Sequence, residues 1–263
     1  MTLIGSVESL WRYPVKSMKG EEINEIFMGF SGFFGDRIFA FRNSNARKGF
    51  PYLNSTANPQ MLRFQPQFKH FEKTLKPPNL NEAMNISPGV NPLNAESGDL
   101  SIDIITPSGF VLPIDDPILI DMLKQGLRGE NNISLIRSDR ALTDCRPVSL
   151  ISQETIKQIE NELEKPIDKR RFRSNIYFNH TSKKGFLENK IIGHRLRIGS
   201  KAEILVLEND PRCKMISLDP DTGEHDPNIL RHVAKNYNNV AGVYCAVLIE
   251  GILKKGDPVE IID

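Results

Sequence analysis

Cys213 stands between two cations in Pro211-Arg212-Cys213-Lys214, just after the acidic turn Glu208-Asn209-Asp210. A thiol beside Arg and Lys is drawn toward the thiolate, the form that attacks sulfur and binds metal. The other reading is a buried cysteine used as a small apolar residue. A soft thiolate suits copper(I), zinc or a high-valent metal that already carries sulfur ligands. No second soft ligand lies near Cys213 in the sequence. The chain would then supply one bond to the metal and a cofactor the rest. Cys245 lies inside an apolar run over 243–249 and reads as structural. His70, His180, His194, His225 and His232 show no metal-ligand spacing and read as surface or core histidines.

Three cationic segments accompany the cysteine. Trp11-Arg12-Tyr13-Pro14-Val15-Lys16-Ser17-Met18-Lys19-Gly20 sets three cations and a hydroxyl around a proline turn. Charge from Lys16, with directed hydrogen bonds from Ser17 and loop amides, could hold a phosphate. A solvated basic turn is the alternative. In Gly35-Asp36-Arg37 the arginine either pairs with Asp36 or reaches an anion. Lys169-Arg170-Arg171-Phe172-Arg173 packs four cations into five residues, which repel unless something negative is near. Arg173 and Asn175 share side-chain parity on an extended chain, so both can face one pocket. Arginine offers a planar fork for phosphate, and Asn175 can donate and accept at a heterocycle edge.

The elements that must position these groups are mostly short strands. Patterns predict strands over 3–11, 22–28, 37–42, 100–105, 110–114, 133–137, 148–151, 175–178, 202–207, 214–218, 242–250 and 259–262. A hairpin is expected to turn at Pro107-Ser108-Gly109. Many short strands with Gly, Pro and Asp turns suggest barrels or sandwiches. Three helices carry start signals: Asp116-Pro117 before 118–127 with Gly129 to close it, Ser152 before 153–164, and Asp226-Pro227 before 228–236. Ile156, Ile159 and Leu163 on the second, and Ile229, Leu230 and Val233 on the third, make core-facing stripes. Residues 71–97, rich in Pro and Asn with little periodicity, read as a long mobile loop, either an idle surface excursion or a lid.

Composition narrows the classes. The chain has 263 residues, 39% hydrophobic and 25% charged, as expected of one or two globular domains. A net charge of +1 gives no global reason to expect nucleic acid or a membrane surface. Three scattered cysteines without Cys-x-x-Cys argue against a disulfide framework, a zinc ribbon or a cysteine-ligated iron–sulfur cluster. The first residues lack a signal-peptide pattern, and no apolar run is long enough to span a bilayer. A cytoplasmic location is expected.

The 11–20 segment with Gly35-Asp36-Arg37 resembles the N-terminal β-barrel module of MOSC proteins, named for the C-terminal domain of molybdenum-cofactor sulfurase. Asp144-Cys145-Arg146-Pro147-Val148-Ser149, Arg171-Phe172-Arg173-Ser174-Asn175-Ile176, Ile192-Gly193, Arg212-Cys213, Asp219-Pro220-Asp221-Thr222-Gly223 and Gly256-Asp257-Pro258-Val259 resemble the MOSC domain itself. The resemblance runs nearly end to end and is strongest to the mitochondrial amidoxime-reducing components and their bacterial relatives. It implies a β-rich α+β fold, with an N-terminal module over 1–115 that is β-barrel-like or α+β, packed on a MOSC β-barrel domain over 116–263. It implies a molybdenum cofactor of the molybdopterin type, independent of pyridoxal phosphate, with Cys213 as metal ligand and catalytic residue. Lys16, Ser17, Arg37, Arg173 and Asn175 match cofactor-holding positions, and Cys145 and Arg146 join them as candidates.

The implied activity is reduction of small N-hydroxylated compounds. A cofactor carrier or a cysteine-persulfide sulfur-transfer protein uses the same residues and stays open as the alternative. Two departures stand out. Cys145-Arg146 replaces a Thr-Ser pair common in relatives, and a tryptophan common before Gly193 is absent. No ferredoxin domain follows before Asp263 and no dinucleotide-binding glycine fingerprint occurs. Electrons are therefore expected from a separate electron-transfer protein, with neither nucleic acid nor membrane as partner.

Overall fold

The computed structural model of the chain describes residues 1–85 and 98–263. Seven strands close into a barrel. Thr2–Arg12, Pro258–Ile261, Arg195–Ile198, Ala202–Pro211, Val240–Ile249, Val148–Ser152 and Ile176–His180 follow one another around the wall, and the last pairs back with the first. Closure leaves these strands no open edge. Six of the seven pairings are antiparallel; Val148–Ser152 and Ile176–His180 run parallel. A parallel pair needs a crossover, and the helix Gln153–Leu163 supplies it.

The first strand is long because it serves two layers. Ile4, Val7 and Leu10 lie in the barrel core. Their spacing departs from two because the register shifts between Leu3 and Gly5 and between Val7 and Ser9. Trp11 and Tyr13, on the outer side, join a second cluster under the helices Gln153–Leu163 and Pro227–Asn236, with Ile156, Ile159, Ile229 and Val233. Fully burying a large aliphatic side chain contributes about 1.5–3 kcal/mol, so both layers hold this strand firmly.

The remaining body is built from small sheets. Glu25–Gly29 pairs with Gly32–Phe33 and Gly251–Lys254; Phe39–Asn43 pairs with Ile133–Arg137; Gln65–Phe68, Ile102–Ile105 and Val111–Pro113 form a third sheet. Its core contains Val15, Met18, Phe41, Met61, Ile104 and, from the helix Pro117–Lys124, Leu119 and Leu123. The fold is a β-rich α+β fold, with four α-helices among the described residues.

Several elements differ from expectation for local reasons. The three capped helices form, with Asp116, Ser152 and Asp226 each accepting a backbone N–H. The first ends at Lys124 instead of 127, and the left-handed Gly126 follows its end more closely than Gly129. The predicted strand 214–218 is instead a 3-10 turn, Lys214–Ser217, which puts Ile216 against the Pro227–Asn236 helix. The run 22–28 breaks at Asn24 into Glu21–Ile23 and Glu25–Gly29. Strand Gln65–Phe68 lacked a signal because Pro66 weakens it, yet it lies at a sheet edge, where proline is tolerated. Of the expected loop 71–97, residues 71–85 carry a 3-10 turn at Phe71–Thr74 and a short helix at Leu80–Asn85; the rest lies outside the described residues. Among the described residues no helix is long and apolar enough to cross a membrane.

Gly5 marks the tightest point of the barrel seam. A Cβ there would come 2.2 Å from the carbonyl oxygen of Asn179, on the strand that closes the barrel. Overpacking of this kind costs about 1–3 kcal/mol, so Gly5→Ala should lower Tm by roughly 3–10 °C in a thermal melt. Gly109→Asn, at a left-handed turn position where a Cβ meets no described atom within 4 Å, should shift Tm much less.

Candidate functional site

A cavity of about 960 Å³ opens between the barrel end and the small-sheet body. Its lining includes all eight residues singled out from the sequence: Lys16, Ser17, Arg37, Cys145, Arg146, Arg173, Asn175 and Cys213. They come from five separated stretches of chain. Pro14–Met18 is pinned by the buried Val15 and Met18, which leaves Lys16 and Ser17 toward the cavity. The Lys16 N–H donates to Phe39 O at 2.8 Å, and the Arg37 N–H to Tyr13 O at 2.8 Å, so this turn and Arg37 are laid side by side.

Asp36 organises the floor. Its buried carboxylate accepts the Tyr13 N–H at 2.7 Å, Arg37 Nη1 at 2.5 Å and Asn175 Nδ2 at 3.1 Å. Burial alone would lower the Arg37 pKa, but the charge and hydrogen bond of Asp36, with Tyr13 and Asp144, together outweigh it and the guanidinium is held charged. Arg37 Nη2 also donates to Arg173 O at 3.0 Å. The Tyr13 ring lies 4.7 Å from the Arg37 guanidinium carbon and 4.3 Å from that of Arg173. Burial pushes the Tyr13 phenol up, and the two guanidiniums oppose it without prevailing.

Arg173 differs from its neighbours in having no carboxylate partner among the described residues. Its Nη1 donates to Met18 O at 2.9 Å. Burial lowers its pKa to about 10, with Arg37 adding to the depression against Tyr13 and Asp36. Lys16 is likewise lowered, chiefly by burial, despite its ion pair with Asp144 and a 2.8 Å bond to Leu142 O.

The other predicted cations are clasped elsewhere. Arg12 is fully buried and faces away, bound to Glu21, Phe34 O and Thr74. Lys19 pairs with Asp221 at 3.0 Å. Lys169 pairs with Glu8, Arg170 with Asp168 and Asp221, and Arg171 with Asp219. The charge crowding at 169–171 is therefore met by protein carboxylates.

Asn175 also departs from its expected role. Its Oδ1 accepts from Ser149 N at 3.2 Å and Ser149 Oγ at 3.3 Å, and its Nδ2 donates to Trp11 O and Asp36. Its amide is spent inside the protein. It shares the cavity with Arg173 for a different reason than parity: Arg173 is a left-handed cap, φ 52°, after a 3-10 turn.

Cys213 is exposed and opens the Lys214–Ser217 turn in extended geometry. Behind it Arg212 is buried, its charge taken by Asp210 and by Phe172 O at 2.5 Å. Tyr244 hydrogen-bonds Asp210, whose carboxyl burial pushes up against the pull of Arg212. Arg212 Nε is buried without a hydrogen-bond partner among the described residues. Cys145 is also exposed; its thiol donates to Glu208 at 3.4 Å, and Arg146 pairs with the same carboxylate at 2.6 Å.

Among the described residues no group of three or more His, Cys, Asp or Glu could hold a metal. A metal on Cys213 would have to take its other ligands from a bound group. The lining suits an anionic one: eight basic side chains against two acidic, Asp144 and Asp210, with an unpartnered donor on Arg212. Tyr13, Asp210 and the 47–50 turn escaped the sequence reading as site residues, and Asp36 entered it only as a partner for Arg37. For Tyr13 a signal existed, since it shares strand parity with Trp11; the others carry none without tertiary contacts.

The three thiols should separate by alkylation. Cys145 and Cys213 should react in the native protein, and buried Cys245, whose pKa burial raises, only after unfolding. Burial and then the Glu208 carboxylate hold the Cys145 thiol above its ordinary pKa. Glu208→Gln should therefore speed Cys145 labelling at pH 8, by roughly threefold to tenfold in a mass-spectrometric time course. An unchanged Cys145 rate would contradict that electrostatic account.

Comparison with known proteins meets this geometry. Residues 4–90 match the MOSC N-terminal beta barrel domain and residues 137–260 the MOSC domain. Mitochondrial amidoxime reducing component 2 of Bos taurus is 25% identical over 290 residues, covering 97% of this chain and 83% of that protein. Its Macaca fascicularis counterpart is 23% identical over 289 residues, with the same coverage. Among solved structures, the YUAD protein from Bacillus subtilis aligns with a TM-score of 0.48 and 12% identity, covering 98% of this chain and 96% of that one. With the two domain matches in this order along the chain, the protein belongs to the MOSC family, an N-terminal MOSC β-barrel domain leading into a MOSC domain.

Proposed function

We propose that this chain is a molybdenum-cofactor-dependent reductase of N-hydroxylated compounds, supplied with electrons by a separate electron-transfer protein. The observation that carries the reading is the convergence of one exposed thiol and a surplus of cations on a single cavity of about 960 Å³ in a MOSC protein. The similarity to proteins named amidoxime reducing component supports the substrate class. A cytoplasmic location is part of the proposal and is consistent with three free cysteines.

In this reading Cys213 donates the protein's thiolate ligand to molybdenum. Lys16, Arg37 and Arg173 hold the phosphate of the pterin, and the Ser17 hydroxyl adds a directed hydrogen bond. Asn175, its amide already engaged, shapes the floor by fixing Asp36 and Ser149. Cys145 and Arg146 wall the side that Glu208 braces. Phe50, Phe172 and Met215 limit water at the cavity wall, which strengthens every charge interaction there. When bound, the cofactor supplies the two-electron redox chemistry. The net change converts an N–OH group, two electrons and two protons into N–H and water.

Three measurements test this. Cys213→Ser should lose reductase activity and at least tenfold of the bound molybdenum, because a hydroxyl is harder and less acidic than a thiol; full turnover by this variant would end the assignment. Arg173→Met removes a charge that burial disfavours, so the cofactor-free protein should melt at the same or a higher temperature. Its cofactor occupancy should still fall roughly ten- to a hundredfold, the loss of one charge-assisted bond. A destabilised fold with normal occupancy would reverse the assigned role. Finally, the loaded protein should be silent with NADH alone and turn over when a reductase with an electron carrier, or reduced viologen, is added. Silence with every donor would favour a carrier or sulfur-transfer role.

A further inference from the structure

We propose that the turn Arg47-Lys48-Gly49-Phe50 recognises an anionic group on the substrate, so that the preferred compounds carry a carboxylate or a phosphate apart from their N-hydroxyl. This rests on the reading of the site as a reductase of N-hydroxylated compounds. The cavity has two tiers. Its floor cations are already paired: Lys16 with Asp144, Arg37 with Asp36, Arg212 with Asp210. Arg173, the unpaired one, lies among them with its charge depressed by burial. Arg47 and Lys48 line the same cavity but are exposed, and neither side chain makes a hydrogen bond or ion pair among the described residues. Lys214, next to Cys213, is the same. Adjacent like charges repel, and elsewhere in this protein such crowding is met by carboxylates. At this rim no carboxylate among the described residues meets it.

The rim is also built. The Phe50 N–H donates to Arg47 O at 2.9 Å, closing the turn around the left-handed Gly49, φ +85°. The chain before it is anchored: Ala46 N–H to Asn43 O at 3.1 Å, Asn43 Nδ2 to Asn131 Oδ1 at 2.9 Å, and Asn45 Nδ2 to Glu130 O. Phe50 then packs edge-on to Tyr52, centroids 5.2 Å apart, and Lys16 Nζ lies 5.2 Å and 5.0 Å from the two rings. The free cations of the rim are thus tied to the floor through one aromatic pair. An anion on the ligand would neutralise the rim, and the uncharged remainder would occupy the same cavity as Cys213.

The test is calorimetric titration of the protein as isolated, its molybdenum content measured, with benzamidoxime, 4-carboxybenzamidoxime and 4-phosphonobenzamidoxime. The anionic analogues should bind about three- to tenfold more tightly than the neutral one, an advantage of exposed, screened charges that shrinks as salt is raised. It should fall to parity in the Arg47→Gln/Lys48→Gln double variant, both positions being exposed and remote from the core. The carboxylate and phosphonate arms show which anion is preferred. Three equal affinities in the wild type overturn the proposal. So does an advantage that survives the double variant, or one lost only in Arg173→Met, which would place the anion on the floor. If the double variant changes only the concentration of electron-transfer protein needed for half-maximal turnover, the rim serves that partner and the substrate proposal is again overturned. Binding is read without turnover, so the two readings fail separately. Rim-dependent binding with no reduction of any analogue removes the reductase reading alone. Reduction of all three with equal affinities removes the rim alone.

Discussion

The structure around the cavity depends on one buried carboxylate. Asp36 is fully shielded from solvent and holds three partners that arrive from distant parts of the chain. Tyr13 follows the first barrel strand, Arg37 belongs to the small-sheet body, and Asn175 leads into the barrel strand Ile176–His180. A carboxylate out of water is costly unless its lone pairs are matched by donors, and a buried pair that loses one partner typically loses about 3–5 kcal/mol. Asp36 therefore demands that these three groups arrive together. The barrel and the second body are locked in register by that demand, and the Tyr13 ring is set against both guanidiniums as a consequence.

The backbone shows the same constraint. Seven non-glycine residues among those described have positive φ, and three of them are Ser17, Arg37 and Arg173. The left-handed region costs a residue with a Cβ about 1–2 kcal/mol. It persists where surrounding contacts over-determine it. Here those contacts are visible: Ser17 O accepts Ser55 Oγ at 2.6 Å, the Arg37 N–H is tied to Tyr13 O, and the Arg173 N–H donates to Arg170 O at 3.2 Å. Ser17 and Arg37 lie in turns and Arg173 caps the 3-10 turn Lys169–Phe172, each where it lines the cavity.

The barrel was largely legible in the sequence, because long apolar alternation and capped helices are local signals. The misses are also local in origin. Strand Gln65–Phe68 is short and interrupted by proline, and the apolar run after Cys213 buries its residues as a 3-10 turn against a helix. The cavity residues could be named but not sorted by partner. Arg12, Lys19 and Arg170 look like Arg173 in sequence. What separates them is whether a carboxylate waits across the fold, as Glu21 and Asp221 do. That pairing is a property of topology, and spacing along the chain carries no trace of it. The 47–50 turn was unreadable for a related reason: it has no periodicity, and its cations gain meaning only from being left without partners.

Arg170 and Arg173, three residues apart, show what the pairing decides. Arg170 is held by Asp168 and Asp221; the hydrogen bonds it donates to these carboxylates raise its pKa, while Asp221 is lowered to about 2, first by Arg170. That clasp keeps its charge across the whole range in which proteins are folded. Since the Asp221 pKa is depressed, its stabilising contribution is complete above the ordinary aspartate range and fades only as pH falls toward 2. Arg173 has the opposite balance: burial drives its pKa down to about 10, and the Asp36 charge opposes that without prevailing. One arginine contributes to stability through its neighbours, whereas the other draws on it. A buried cation without a carboxylate partner among the described residues is kept at a cost that an anion in the cavity would offset, and the Arg170 clasp, already paired, would stay untouched.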